Sequence, residues 1–87
     1  MGKYNLVFKR SVAKDLRSLP AKDIARILQC FEILANDPRA PGGEKLKGED
    51  KYRLRQGVYR IVYEIDDSTL TVTVVKVGHR REIYRNN

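Results

Sequence analysis

An apolar stripe constrains this chain more than any other feature. Between Pro20 and Asn36, Ile24, Ile27, Leu28, Phe31 and Leu34 recur at i, i+3, i+4, i+7 and i+10, the spacing of one helical face. Lys22, Asp23, Arg26 and Glu32 fall off the stripe. Such a helix has to lay its apolar side on a partner layer. The chain has 87 residues, enough for one domain spanning 1–87. A domain of this size buries only about 60% of its unfolded surface, so the core is modest.

The partner layer is a sheet. Lys51 to Ile65, KYRLRQGVYRIVYEI, reads as two strands about a short turn at Gln56-Gly57. Side chains alternate along a strand, so Tyr52 and Leu54 point one way and Arg53 and Arg55 the other. From Val58 to Ile65 both sides are apolar: Tyr59, Ile61, Tyr63 and Ile65 on one, Val58 and Val62 with Arg60 on the other. That pattern predicts a central strand. Asp66-Asp67-Ser68 makes a turn, and Thr69 to Val77, TLTVTVVKV, is a β-branched central strand that Gly78 stops. Tyr52, Tyr59 and Tyr63 are read as packing residues rather than stacking platforms.

Upstream, Lys3 to Phe8 alternates, with Tyr4, Leu6 and Phe8 on one side, and predicts a half-buried first strand. Ser11 is the expected cap of a helix carrying Val12, Leu16 and Leu19. Leu19-Pro20 breaks it, and Pro20 suits the first turn of the stripe helix. Asn36-Asp37-Pro38 ends that helix, because a residue before proline is pushed out of the α region. Arg39 to Asp50, with Pro41, Gly42 and Gly43 in sequence, reads as a loop. The order is β-α-α-β-β-β. It predicts an α+β fold with two N-terminal helices on one face of a small, mainly antiparallel sheet, and the arginines on the open face. The pairing of the first strand is not fixed by the sequence.

Composition narrows the partners. One cysteine permits no internal disulfide, and one cysteine with one histidine makes a structural zinc site unexpected. Cys30 reads as a small buried hydrophobe. Eighteen Lys and Arg against eleven Asp and Glu give +7, which calls for an anionic partner. Lys3 and Asn5 interrupt any apolar start, and no apolar run approaches the roughly 20 residues of a membrane span. A soluble cytoplasmic protein, with no membrane contact, is expected.

Three arginines on neighbouring strands repel one another. A phosphate between them reverses that cost, and the planar guanidinium fork suits phosphate oxygens. No paired carboxylates, Ser-His-Asp set or phosphate loop can be found, and no metal or other cofactor is expected. Chemistry that needs mainly charge stabilisation remains. RNA cleavage fits, because the substrate's own 2′-OH is the nucleophile. The protein then aligns that oxygen, neutralises a pentavalent phosphorane and moves two protons.

Leu46-Lys47-Gly48, Tyr52-Arg53-Leu54-Arg55, Tyr59-Arg60-Ile61-Val62-Tyr63-Glu64, and Val77-Gly78-His79-Arg80 with Tyr84-Arg85 resemble the signature of the RelE toxins of type II toxin–antitoxin modules, within the RelE/ParE superfamily. The likeness covers nearly the whole chain, so a single RelE-like toxin domain is expected. It implies a metal-independent endoribonuclease that cuts mRNA in the ribosomal A site and blocks translation. Its partners would be the ribosome, mRNA and a cognate antitoxin. The tyrosine–arginine strand is shared with gyrase-poisoning ParE toxins, so a ParE-like gyrase inhibitor and a non-catalytic homologue that only binds antitoxin stand as alternatives.

The resemblance carries roles onto matching positions. Arg60 and Arg80 would hold the scissile phosphate, while Arg53 and Arg55 position the backbone. Tyr84 would stack on a base or exchange a proton. Histidine changes charge near neutral pH, which makes His79 the best-matched acid or base. Lys47, Lys51, Arg81 and Arg85 flank these groups and would bind RNA. Some family members carry lysines where Arg53 and Arg55 stand, and an arginine does not readily give up a proton, so the general base stays open.

Overall fold

The stripe helix is present, but its buried face is rotated from the one expected. In the computed structural model, which describes residues 3–39, 43–45 and 51–79, the chain runs β1 (Asn5–Phe8), α1 (Arg10–Arg17), α2 (Ala21–Asn36), β2 (Gly43–Lys45), β3 (Lys51–Gln56), β4 (Tyr59–Asp66) and β5 (Thr71–His79). Ile27, Cys30, Phe31 and Leu34 are the buried residues of α2, an i, i+3, i+4, i+7 set. Leu28, expected in the stripe, is 49% exposed. Cys30 takes the inner position as a small hydrophobe, its thiol donating to Gln56 Oε1 at 3.2 Å.

Both helices start without a side-chain cap. Ser11, the expected cap, lies inside α1, and the extended Lys9 precedes the helix instead. The reason is the tight join to β1: Lys9 N–H still donates to Val74 O at 2.9 Å while its own carbonyl accepts from Val12 N–H at 3.0 Å. Pro20, expected in the first turn of α2, sits one residue before it, where its carbonyl accepts from Asp23 N–H at 3.0 Å and Ile24 N–H at 3.1 Å. Asp37 ends the helix in an extended conformation, as the following proline requires.

The sheet has five strands in the order β1-β5-β4-β3-β2. β1 pairs parallel with β5, and every other pair is antiparallel. The expected α+β arrangement holds, with the addition of β2 inside the segment read as a loop. Three residues are too few to announce a strand by alternation. The turn between β3 and β4 is Gly57-Val58, with Gly57 at φ 60. Glycine at the first central position is the sequence preference of a II′ hairpin. β5 does not stop before Gly78 but runs on to His79, because Gly78 pairs with Arg60 inside the ladder.

The core lies between the helices and one sheet face. Val12, Ile27, Phe31 and Leu34 from the helices meet Ile61, Tyr63, Val72, Val74 and Val77. A one-residue irregularity sits between Val62 and Tyr63 of β4 and their partners Lys76 and Val74. It decides which side chains of β5 enter the core. Strict alternation from Val72 and Val74 would turn Lys76 into the core. The bulge shifts the phase and puts Val77 there instead. β1 ends at Phe8, opposite Val74, so α1 flanks the rest of β5. There the Asp15 carboxylate accepts from Val77 N–H at 3.2 Å and from Lys76 Nζ at 3.4 Å.

The tyrosines serve packing, as expected. Tyr63 is fully buried, donates to Pro38 O at 2.9 Å, and stacks on Tyr52 at 5.6 Å. Arg39 lies 5.9 Å over Tyr52 and makes a two-pronged pair with Asp67 at 2.9 and 3.0 Å. Tyr4 also donates to Asp67, at 2.7 Å. These contacts tie the segment after α2 to the β4–β5 turn and to the start of β1. No helix among the described residues is long and apolar enough to cross a membrane.

Candidate nucleic-acid interface

Register places the arginines. Residues directly opposite in an antiparallel pair lie on the same sheet face. Arg55 stands opposite Arg60, Arg53 opposite Val62, and Lys51 opposite Glu64. Arg53, Arg55 and Arg60 therefore share the face turned away from Tyr52, Leu54, Ile61 and Tyr63, which belong to the core or pack against it. The sequence-expected segregation of arginines from core residues is what the strand pairing delivers.

Exposure grades across the three. Arg55 is exposed, Arg53 is half-buried, and Arg60 is only 5% exposed. Arg60 belongs to the central strand, flanked by β3 and β5. Its direct neighbour on β5 is Gly78, which brings no side chain to compete for space. The expectation of an uncovered face is thus corrected at Arg60 and at Val62, which is 7% exposed. A guanidinium held in such a place interacts with an anion more strongly than one in open water. Arg55 and Arg60 present like charges to each other, and opposed like charges cost stability. An oxyanion between them removes that repulsion and accepts from two planar forks.

His79 goes elsewhere. It pairs with Tyr59, so alternation turns it to the helix-packed side, where its ring meets that of Tyr59 edge-on at 6.2 Å. The structure does not bring it to Arg60, whose partner on β5 is Gly78. Lys51 shares the arginine face but stands across from Glu64, at the far end of the strand from Arg55. Arg80, Tyr84, Lys47, Arg81 and Arg85 lie outside the described residues. Among the described residues no group of three or more His, Cys, Asp or Glu is placed to hold a metal ion.

Sequence reasoning missed the charge at Lys76. It stands opposite Val62, on the arginine face, but is held by Asp15. The signal was the phase slip from Val72 and Val74 to Val77, which marks Lys76 as a residue outside the core. Sequence reasoning also passed over Asp23, which accepts from Tyr59 Oη at 2.9 Å. That hydrogen bond to a carboxylate raises the Tyr59 phenol above its ordinary range and keeps it protonated.

Comparison with known proteins identifies the lineage. The family model for the ParE toxin of the type II toxin–antitoxin system parDE matches residues 6–84. Toxin RelG of Mycobacterium tuberculosis is 34% identical, over 94% of this chain and 97% of its own. Toxin RelE of the same organism is 33% identical, over 97% of this chain and 89% of its own. The toxin–antitoxin complex RelBE2 from M. tuberculosis contains a chain that superposes with a TM-score of 0.80 at 32% identity, covering 90% of this chain and 99% of that one. This chain therefore belongs to the RelE/ParE family of toxins of type II toxin–antitoxin systems.

Proposed function

We propose that the chain is a ribosome-dependent mRNA endonuclease whose partner antitoxin holds it inactive. The observation that carries this reading is the opposition of Arg55 and Arg60 on one sheet face, with Arg60 almost fully buried. Antitoxin binding is supported by the similar chain solved as a toxin–antitoxin complex and by the net charge of +7.

In this reading the substrate supplies the nucleophile. The 2′-OH attacks the adjacent phosphorus, its proton passes to a base, and the 5′ oxygen leaves with a proton from an acid. Arg60 and Arg55 hold the non-bridging oxygens and stabilise the charge that develops on them. Arg53, two residues along β3, steadies the neighbouring backbone. Arg80 and Tyr84 complete the site in the family-based assignment: Arg80 as a further phosphate donor, Tyr84 as a stacking or proton-exchanging group. His79, edge-on to Tyr59 on the other face, is not given the proton transfer. Lys47, Lys51, Arg81 and Arg85 supply backbone charge, which binds RNA in a salt-dependent way.

Induction of the chain without its antitoxin, followed by mapping of mRNA 5′ ends, tests the reading. Codon-phased cuts within coding regions are the expected result. The family model named for ParE favours one second reading, gyrase inhibition. Intact mRNA with double-strand DNA breaks would select it.

A further inference from the structure

A cleft lies at the tip of the β3–β4 hairpin, on the opposite side of the sheet from the arginines. Asp23 and Arg26 of α2 form one side, and Gln56, Gly57, Val58 and Tyr59 the other. Its volume is about 240 Å³, below the roughly 300–1,000 Å³ of drug-sized sites. That suits one planar ring system.

The polar groups are set in advance. Tyr59 Oη donates to Asp23 Oδ2, which fixes the carboxylate and leaves Oδ1 to accept from a ligand. The Cys30 thiol donates to Gln56 Oε1, which turns the amide so that its NH2 group is the end left to donate. Arg26 follows Asp23 by three residues on the helix, hence on the same side, and is exposed. Val58 and the Tyr59 ring provide apolar walls, and a Cβ built on Gly57 would meet nothing within 4 Å.

We propose that this cleft is a guanine-binding subsite. A carboxylate acceptor beside amide and guanidinium donors complements the Watson–Crick edge of guanine, whose N1–H and N2–H2 donate while O6 accepts. Adenine presents a lone pair at N1 and is repelled by Asp23. Arg55 and Arg60 flank, in sequence, the turn that lines the cleft, but on the other sheet face, so one RNA strand would meet both by rounding the hairpin tip. That RNA source rests on the nuclease reading above. A free guanine nucleotide offers the same chemistry.

Titration of the 15N-labelled full chain with GMP, AMP, CMP and UMP decides between outcomes. The expected result is shifts at the Gly57 amide and the Gln56 side-chain NH2, with GMP preferred over AMP by about tenfold. Asp23→Asn keeps an acceptor for Tyr59 but removes the carboxylate, and should abolish the preference without unfolding the chain. Equal responses to all four nucleotides, or a preference that survives Asp23→Asn, overturn the proposal. Cleavage mapping separates the sources. If guanines near the cut are enriched and Asp23→Asn removes the enrichment, the ligand is the RNA. Guanine-independent cutting alongside Asp23-dependent GMP binding assigns the cleft to a free nucleotide. Should the wild-type chain cut nothing, the nuclease reading fails while the titration still decides the cleft.

Discussion

Arg55 and Arg60 face each other across the β3–β4 pair, two like charges in positions that sheet stability alone would avoid. Their conflict separates binding from folding. Arg55→Ala should leave thermal stability unchanged or slightly raised, since an opposed like charge costs a few tenths of a kcal/mol or more. The same variant should lose toxicity. A melting curve and a growth assay without antitoxin measure the two effects.

Arg60 offers a sharper contrast between charge and shape. Arg60→Lys keeps the charge and loses the planar fork. If two-pronged phosphate contact matters, Arg60→Lys should cut far more slowly than wild type, toward the roughly 10²–10³ loss expected on removing an oxyanion donor. Circular dichroism checks that the variant is folded.

The phase of α2 can be tested by a pair of truncations. Ile27 is 0% exposed and Leu28 is 49% exposed. Ile27→Ala should cost about 2–5 kcal/mol, and Leu28→Ala no more than about 0.5 kcal/mol. Chemical denaturation of both variants gives the difference.

Much of this fold was legible in the sequence, and the misses have physical causes. The stripe helix and the separation of Arg53 and Arg55 from Tyr52 and Leu54 follow from periodicity, which survives any packing arrangement. Leu28 and Cys30 are both expected inside, but they lie at opposite edges of the helical face, and a stripe about 100° wide holds only one of them; Cys30 is buried and Leu28 is exposed. β2 was too short to alternate. The side taken by His79 depends on register and on the bulge beside Val62 and Tyr63, and a one-residue shift reverses every side chain beyond it. The burial of Arg60 depends on the strand order, which local pattern does not encode.

Asp15 should matter to β5 more than its place on a short surface helix suggests. It accepts the Val77 N–H that no β1 residue reaches. Asp15→Ala should cost about 1–3 kcal/mol by leaving a buried donor unmatched, and the Val77 amide should exchange faster. Asp15→Asn, which retains an acceptor, should recover most of both.

Alkaline pH should loosen the core. Burial pushes the Tyr63 phenol up to about 12, and the phenol donates to Pro38 O. A pKa raised in the folded state contributes stability that is present below the ordinary value near 10 and lost as pH rises toward 12. Thermal midpoints should therefore fall between about pH 10 and 12, and Tyr63→Phe should flatten that fall. At the acid end the sign is opposite. Arg39 and Tyr4 hold Asp67 below the usual carboxylate range, so its contribution is present above the ordinary carboxylate pKa and is lost as pH falls through the lowered one.

Single-turnover cleavage on ribosomes carrying a defined mRNA, comparing the purified chain with Arg60→Ala, tests the central claim most directly. A cut within the A-site codon, slowed by about 10²–10³ in the variant, is the predicted result. Uncut mRNA with the wild-type chain, or wild-type cutting by a folded Arg60→Ala chain, would contradict it.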